Sequence, residues 1–253
     1  MSKVEICTNH TGKMEGIKSI STSVLLNEHC QKNRKILGSI CSHCYANTLA
    51  TMYLGLGERL KRNTEILTSK VIDWDELPDL SEEQIFRLEA FGDLNNEIQM
   101  ENYYNIVKKN PFVRFTLYTK QAGIIQRFFS REDIDMLPNL TLVFSSLFLN
   151  KKTSLEHLNL PTPFFEGQYK TFTVYTKKFL IEHPEVKINC GARACNKCRL
   201  CYLKNNTTEV SEILKSDRES MDKYYKMKNE FNKKEFLSVI EEILNKTFNK
   251  KGE

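Results

Sequence analysis

Short blocks of β-branched or alternating apolar residues occur six times along the chain. Between several of them the apolar spacing lengthens to the period of a helix. Residues 17–26, rich in Ile, Ser, Thr, Val and Leu, read as a first strand. A polar loop with Gly38 follows, and then a helical pattern from Ser42 to about Ser69, with Leu49, Tyr53, Leu56 and Leu60 on one face and Gly55 and Gly57 weakening its middle. Residues 85–91 read as a second strand ending at Gly92-Asp93, and 97–109 as an amphipathic helix closed by Asn110-Pro111. A strand at 112–119, a helix over 121–129 and strands at 140–148 and 169–176 come next. Val186–Asn189 is the last candidate strand, and residues 208–248, rich in Lys and Glu, read as terminal helices. Strands alternating with helices predict an α/β fold with a parallel sheet and crossover helices. The division expected is a body over residues 1–206 and a helical appendage over 207–253.

Within this pattern Phe115-Thr116-Leu117-Tyr118-Thr119-Lys120 is echoed by Phe172-Thr173-Val174-Tyr175-Thr176-Lys177. Two readings stand open. The strands are equivalently buried, or each delivers a Tyr and a Lys to one mouth, since sites in parallel α/β folds form at the carboxyl ends of strands.

Cysteine placement adds chemistry to the pattern. Cys30, Cys41 and Cys44 form C-x10-C-x2-C after a strand, and Cys190, Cys195, Cys198 and Cys201 form C-x4-C-x2-C-x2-C, leaving Cys7 alone. No stretch is apolar enough to span a bilayer and the first residues lack a signal-peptide apolar region, so the expected location is the cytoplasm, without a membrane partner. There structural disulfides are disfavoured, and clustered thiols point to metal or redox chemistry. Thiolates select zinc or iron–sulfur centres. Structural zinc usually takes two separated C-x2-C knuckles, whereas a C-x2-C-x2-C run suits a [4Fe–4S] cluster, with zinc the alternative at this second group. Arg193, Lys197 and Arg199 are candidates to balance its charge. Three cysteines in the first group would leave one iron open to a small-molecule ligand unless His29 or His43 closes it. Both groups sharing a single centre is a further option.

The formal net charge of +5 is mild. Lys32, Arg34, Lys35 and the basic tail offer only weak support for a nucleic-acid partner. No Ser-His-Asp pattern, nucleophile elbow or phosphate-cradling Gly-rich loop occurs, which removes hydrolase and nucleotide-kinase readings.

Gly12-Lys13 with the strand after it, Cys30, Cys41-Ser42-His43-Cys44-Tyr45-Ala46, Phe86 to Asp93, Phe115 to Lys120, Phe144-Ser145-Ser146 and the closing cysteine run, taken in order, resemble the phage-encoded family named after gene product eighty-eight of a mycobacteriophage. That family is distantly similar to radical S-adenosylmethionine enzymes, which implies a partial parallel (β/α) barrel with three cluster cysteines after the first strand. The ten-residue first interval, and Phe91-Gly92-Asp93 in place of a Gly-Gly-Glu, depart from that pattern. By this resemblance Tyr45, Asp93 and Ser145 are the cofactor-binding candidates, and S-adenosylmethionine joins the cluster as an expected ligand. Glu89, Asp93, Tyr118 and Lys120 are the catalytic candidates. Asp93 also reads as a turn residue, Glu89 as a partner of Arg87, and Lys120 as a solvent-exposed strand-end lysine. Three functions follow: an enzyme with an open cluster iron, a non-enzymatic iron–sulfur protein that is structural or senses redox state, and a zinc-stabilised nucleic-acid binder.

Overall fold

The structure is a computed structural model that describes residues 3–191 and 193–217, together with Glu230, Lys233 and Lys234. Its frame is one six-stranded sheet: β1 (Lys18–Ile20), β2 (Ile85–Leu88), β3 (Arg114–Thr119), β4 (Leu140–Ser145), β5 (Tyr169–Tyr175) and β6 (Glu209–Ile213). Every pairing is parallel and every neighbour is the next strand in the chain, with Phe86 beside Phe115 and Leu142 beside Tyr169. With right-handed crossovers this order carries the connections over one face and leaves the other open.

Alternation decides what each face holds. Phe86 and Leu88 of β2, Phe115 and Leu117 of β3, and Leu140, Leu142 and Phe144 of β4 enter the main core. They meet Met100, Tyr103, Ile106 and Val107 of α4 (Glu97–Lys109) and Ile124, Ile125 and Phe128 of α5 (Ala122–Phe129). Each fully buried Phe or Leu contributes about 1.5–3 kcal/mol. Helix α4 matches its prediction residue for residue, because Asn96 caps it by accepting from the Gln99 amide, and Lys108 and Lys109 close its last turn.

Four expectations are corrected. The helical stretch from Ser42 is broken: a short 3-10 turn at Ile40–His43 leads into α2 (Tyr45–Met52), and Tyr53, at φ −108 and ψ 92, separates that from α3 (Leu54–Ser69). The polar loop before it contains α1 (Glu28–Arg34). Val186–Asn189 is not a strand. The sixth strand is Glu209–Ile213, inside the segment read as helical, and it pairs with β5 over Thr171–Tyr175. The remaining helices, α6 (Lys177–Glu182) and α7 (Cys195–Cys198), lie between β5 and β6. The terminal helices expected beyond residue 217 fall outside the described residues apart from Glu230, Lys233 and Lys234. No described helix is long and apolar enough to cross a membrane.

Candidate metal and ligand site

On the face opposite α4 and α5 lies a cavity of about 800 Å³, and both cysteine groups reach it. Cys30, Cys41 and Cys44 line one part, and Cys190 and Cys195 another.

The first group is built after β1. Asn27 caps α1 by accepting from the Cys30 amide, and its own amide group donates to the carbonyls of Asp93 and Leu94. This side chain therefore fixes Cys30 to the end of β2. Ser39 caps the turn carrying Cys41 through the Ser42 amide. Tyr45 lines the cavity, donates its hydroxyl to the Ala90 carbonyl at 2.6 Å and carries Lys215 Nζ 3.8 Å from its ring centroid. His43 lines the cavity as well. His29 does not, and its Nε2 is buried without a hydrogen-bond partner.

Glu89 follows the last residue of β2 at φ 57, in the left-handed region. Its buried carboxylate accepts from the Thr22 amide and hydroxyl, Gln99 Nε2 and the Tyr103 hydroxyl. Burial pushes its carboxyl up to about 7, against the opposing pull of those donors. Arg87 is not its side-chain partner: Arg87 Nε reaches only the Glu89 carbonyl, at 3.2 Å. Asp93 accepts from the Thr119 hydroxyl and the Lys120 amide, tying the ends of β2 and β3 together. Asp93, Lys120 and Ser145 all line the cavity, so Lys120 faces the first cysteines rather than open solvent. Its charge opposes the upward shift that burial imposes on the thiols of Cys30 and Cys41.

The segment carrying the second group starts at the sheet edge beside β6 and ends over β3. Cys190 bridges to Glu212 late in β6, and Lys13 Nζ donates to its Sγ at 3.5 Å while pairing with Glu212. At the other end the Thr116 hydroxyl donates to the Cys201 carbonyl at 2.6 Å, and the Tyr118 hydroxyl lies 3.0 Å from Cys201 Sγ. Cys195 and Cys201 pack against buried Ile17, Ile85 and Tyr202. Lys170, fully buried, donates to Asn205 Oδ1 and the Thr207 carbonyl and holds the following loop. Burial raises the thiols of Cys195 and Cys201, and that of Cys190 to about 11. All eight cysteines are free.

As they stand, no three His, Cys, Asp or Glu side chains among the described residues converge closely enough to hold a metal ion. The donor chemistry nevertheless fits a thiolate-ligated centre. Lys13 Nζ donates to Cys190 Sγ and the Tyr118 hydroxyl is hydrogen-bonded with Cys201 Sγ, contacts of the kind made beyond the ligands in metal sites. Arg87, half-buried on β2, carries a positive charge that opposes the upward shift burial imposes on the thiols of Cys195 and Cys201.

Arg87 and His10 also line the cavity, while Thr116 and Lys170 hold the second cysteine segment and the loop after it; none of the four was singled out as a site residue from the sequence. His10 bonds Ser19 Oγ at 2.7 Å and stacks on Phe91. For Arg87 and Thr116 the available signal was strand alternation: each sits between two core residues. Of the basic candidates for nucleic acid, Lys32 pairs with Glu28 and Arg34 bonds Asn47, and most of the basic tail lies outside the described residues.

The family model described as Gene product 88 matches residues 3–204. No curated protein and no solved structure matches the chain.

Proposed function

The chain belongs to the Gene product 88 family, and from that footing we propose that it is an iron–sulfur protein acting on a small molecule held between two cysteine-bound centres. The observation that carries this reading is the single cavity lined by both cysteine groups, against a parallel sheet whose strands follow one another in order. That order is the one a partial (β/α) barrel of the radical S-adenosylmethionine type requires.

Cys30, Cys41 and Cys44 would hold a [4Fe–4S] cluster with one iron free of protein thiolate. When bound and reduced by an external donor such as dithionite, such a cluster would supply one electron to a sulfonium such as S-adenosylmethionine. The chain's own residues provide the surroundings. Asp93, Tyr45 and Ser145 wall the ligand space, and Asn27 and Glu89 hold the ends of β1 and β2 in place. Cys190, Cys195, Cys198 and Cys201 would hold the second cluster. Its C-x2-C-x2-C spacing favours iron–sulfur over zinc.

A non-enzymatic reading has support of its own at the second group. Thr116 and Tyr118 tie Cys201 to the sheet, so a centre there would staple residues 190–202 to the open face.

The test is electron paramagnetic resonance of the anaerobically reconstituted, dithionite-reduced protein with and without S-adenosylmethionine. A signal changed by the ligand, and changed equally in His43→Gln, is expected for an open iron. An unchanged signal from an intact cluster would remove the radical-enzyme reading and leave the structural or redox one.

A further inference from the structure

We infer that the cavity is built for an organic anion, a carboxylate or a phosphate monoester, whose acidic group lies between Arg87 and Lys120. The inference rests on the reading of this cavity as a small-molecule site, names the charge class of that molecule, and requires no metal. The acidic side chains on the cavity wall are already engaged by the protein. Glu89 accepts from Thr22, Gln99 and Tyr103, Asp93 accepts from Thr119 and the Lys120 amide, and Glu212 pairs with Lys13. Basic side chains on the same wall outnumber them, six to three. Glu212 takes up Lys13, Glu5 lies 3.7 Å from Arg59, Arg34 bonds Asn47, and Lys215 sits over the Tyr45 ring. Arg87 and Lys120 are left, and among the described residues neither forms a carboxylate ion pair.

These two cations belong to one patch. Arg87 is in register with Thr116 of β3, and its side chain reaches forward along the sheet, placing Cζ 3.4 Å from the centroid of the Tyr118 ring. Lys120, just past the end of β3, comes two residues after Tyr118, so alternation gives it the same face, and both line the cavity. Both cations are half-buried, which lessens their screening by water and salt. A cleft holding an excess of one charge between low-dielectric walls focuses its potential and concentrates ligands of opposite sign. A guanidinium is a planar fork of five donors, and the Glu89 carbonyl engages only Nε. That carbonyl and the Tyr118 ring fix the plane of the fork, the geometry that carboxylate and phosphate oxygens match. Phe91, Phe172 and Tyr45 also line the cavity, and His10 stacks on Phe91 with centroids 5.6 Å apart. The body of the ligand therefore meets aromatic rings, in a space of about 800 Å³ that suits a small organic molecule.

The experiment is isothermal titration calorimetry on the anaerobically purified full chain, with phenyl phosphate, benzoate, benzyl alcohol and benzylamine as probes of similar size. Phenyl phosphate, benzoate or both should bind, more weakly as salt is raised, and which of them binds separates phosphate from carboxylate. The neutral alcohol and the cationic amine should bind at least about tenfold more weakly. Arg87→Gln and Lys120→Gln should each weaken the bound anion by about tenfold or more, and Arg87→Lys by less. Equal affinity for the anions and the other probes, no binding of either anion, or anion affinity unchanged in either Gln variant would overturn the inference. Should Arg87→Gln fail to fold by circular dichroism, Lys120→Gln decides by the same criterion. The iron–sulfur reading stands or falls separately. Anion binding by protein that holds no iron upholds this inference and removes that reading, whereas a cluster signal that responds to S-adenosylmethionine in a chain binding neither anion does the reverse.

Discussion

Glu89 has no room to move. A Cβ on Gly92 would stand 2.5 Å from its Oε2 and 2.6 Å from both oxygens of Thr22, so Gly92 is the residue that lets the carboxylate lie against β1. Because burial raises the folded carboxyl to about 7 while the unfolded one titrates near its ordinary value, the folded state binds the proton more tightly. Its stabilising contribution is full below about pH 4.5 and is lost as pH rises through about 7, a change of roughly 3 kcal/mol at most. Glu89→Gln should flatten this part of the stability–pH curve, as urea unfolding at a series of pH values between 4 and 8 would reveal; a slope identical to wild type would count against it. At this scale the cysteines were legible, because ligand spacing is a local property of the chain. The partnership of Arg87 and Glu89 was misread because β2 ends at Leu88, and beyond a strand's end alternation no longer says which way a side chain faces.

Among the elements, Asn27 shows how one polar residue places a cysteine. It caps α1 at the Cys30 amide and satisfies two buried carbonyls beyond β2. Asn27→Ala should cost about 2 kcal/mol from the lost cap and unpaired carbonyls. It should also reduce iron held by the first group while the second keeps its share. Denaturant unfolding and iron analysis check the two halves separately, and equal loss from both groups would contradict the local role. The long apolar strands and α4 could be read in advance because period and caps agreed. The sixth strand could not: Glu209–Ile213 sits in a Lys- and Glu-rich stretch, and its pairing with β5 is a tertiary fact. The echoed hexapeptides also divide on faces. Tyr118 faces the cavity from β3, whereas Phe172 takes that face on β5, with ring centroids 5.4 Å apart. Tyr175 turns instead to Leu180 and Ile213. Two Tyr–Lys pairs therefore do not meet at one mouth.

For the whole molecule, the sheet separates labour between its faces: one is buried under helices, and the other carries Arg87, Thr116, Tyr118 and Lys170 against the second cysteine segment and the cavity. The alternation of strands and helices announced the parallel sheet. That residues 190–202 would run along its open face was not written in any local pattern, since Thr116 and Cys201 meet across 85 positions of sequence. The central claim is that the two cysteine groups bind iron–sulfur clusters around one cavity. Its most direct measurement is iron, sulfide and zinc per chain after strictly anaerobic purification, for wild type, Cys195→Ser and Cys198→Ser. The account predicts iron and sulfide in equal amounts, two clusters' worth in wild type, with each variant losing one cluster's worth and becoming less soluble, since metal binding is linked to folding. Zinc without sulfide, or full iron retained in both variants, would contradict it.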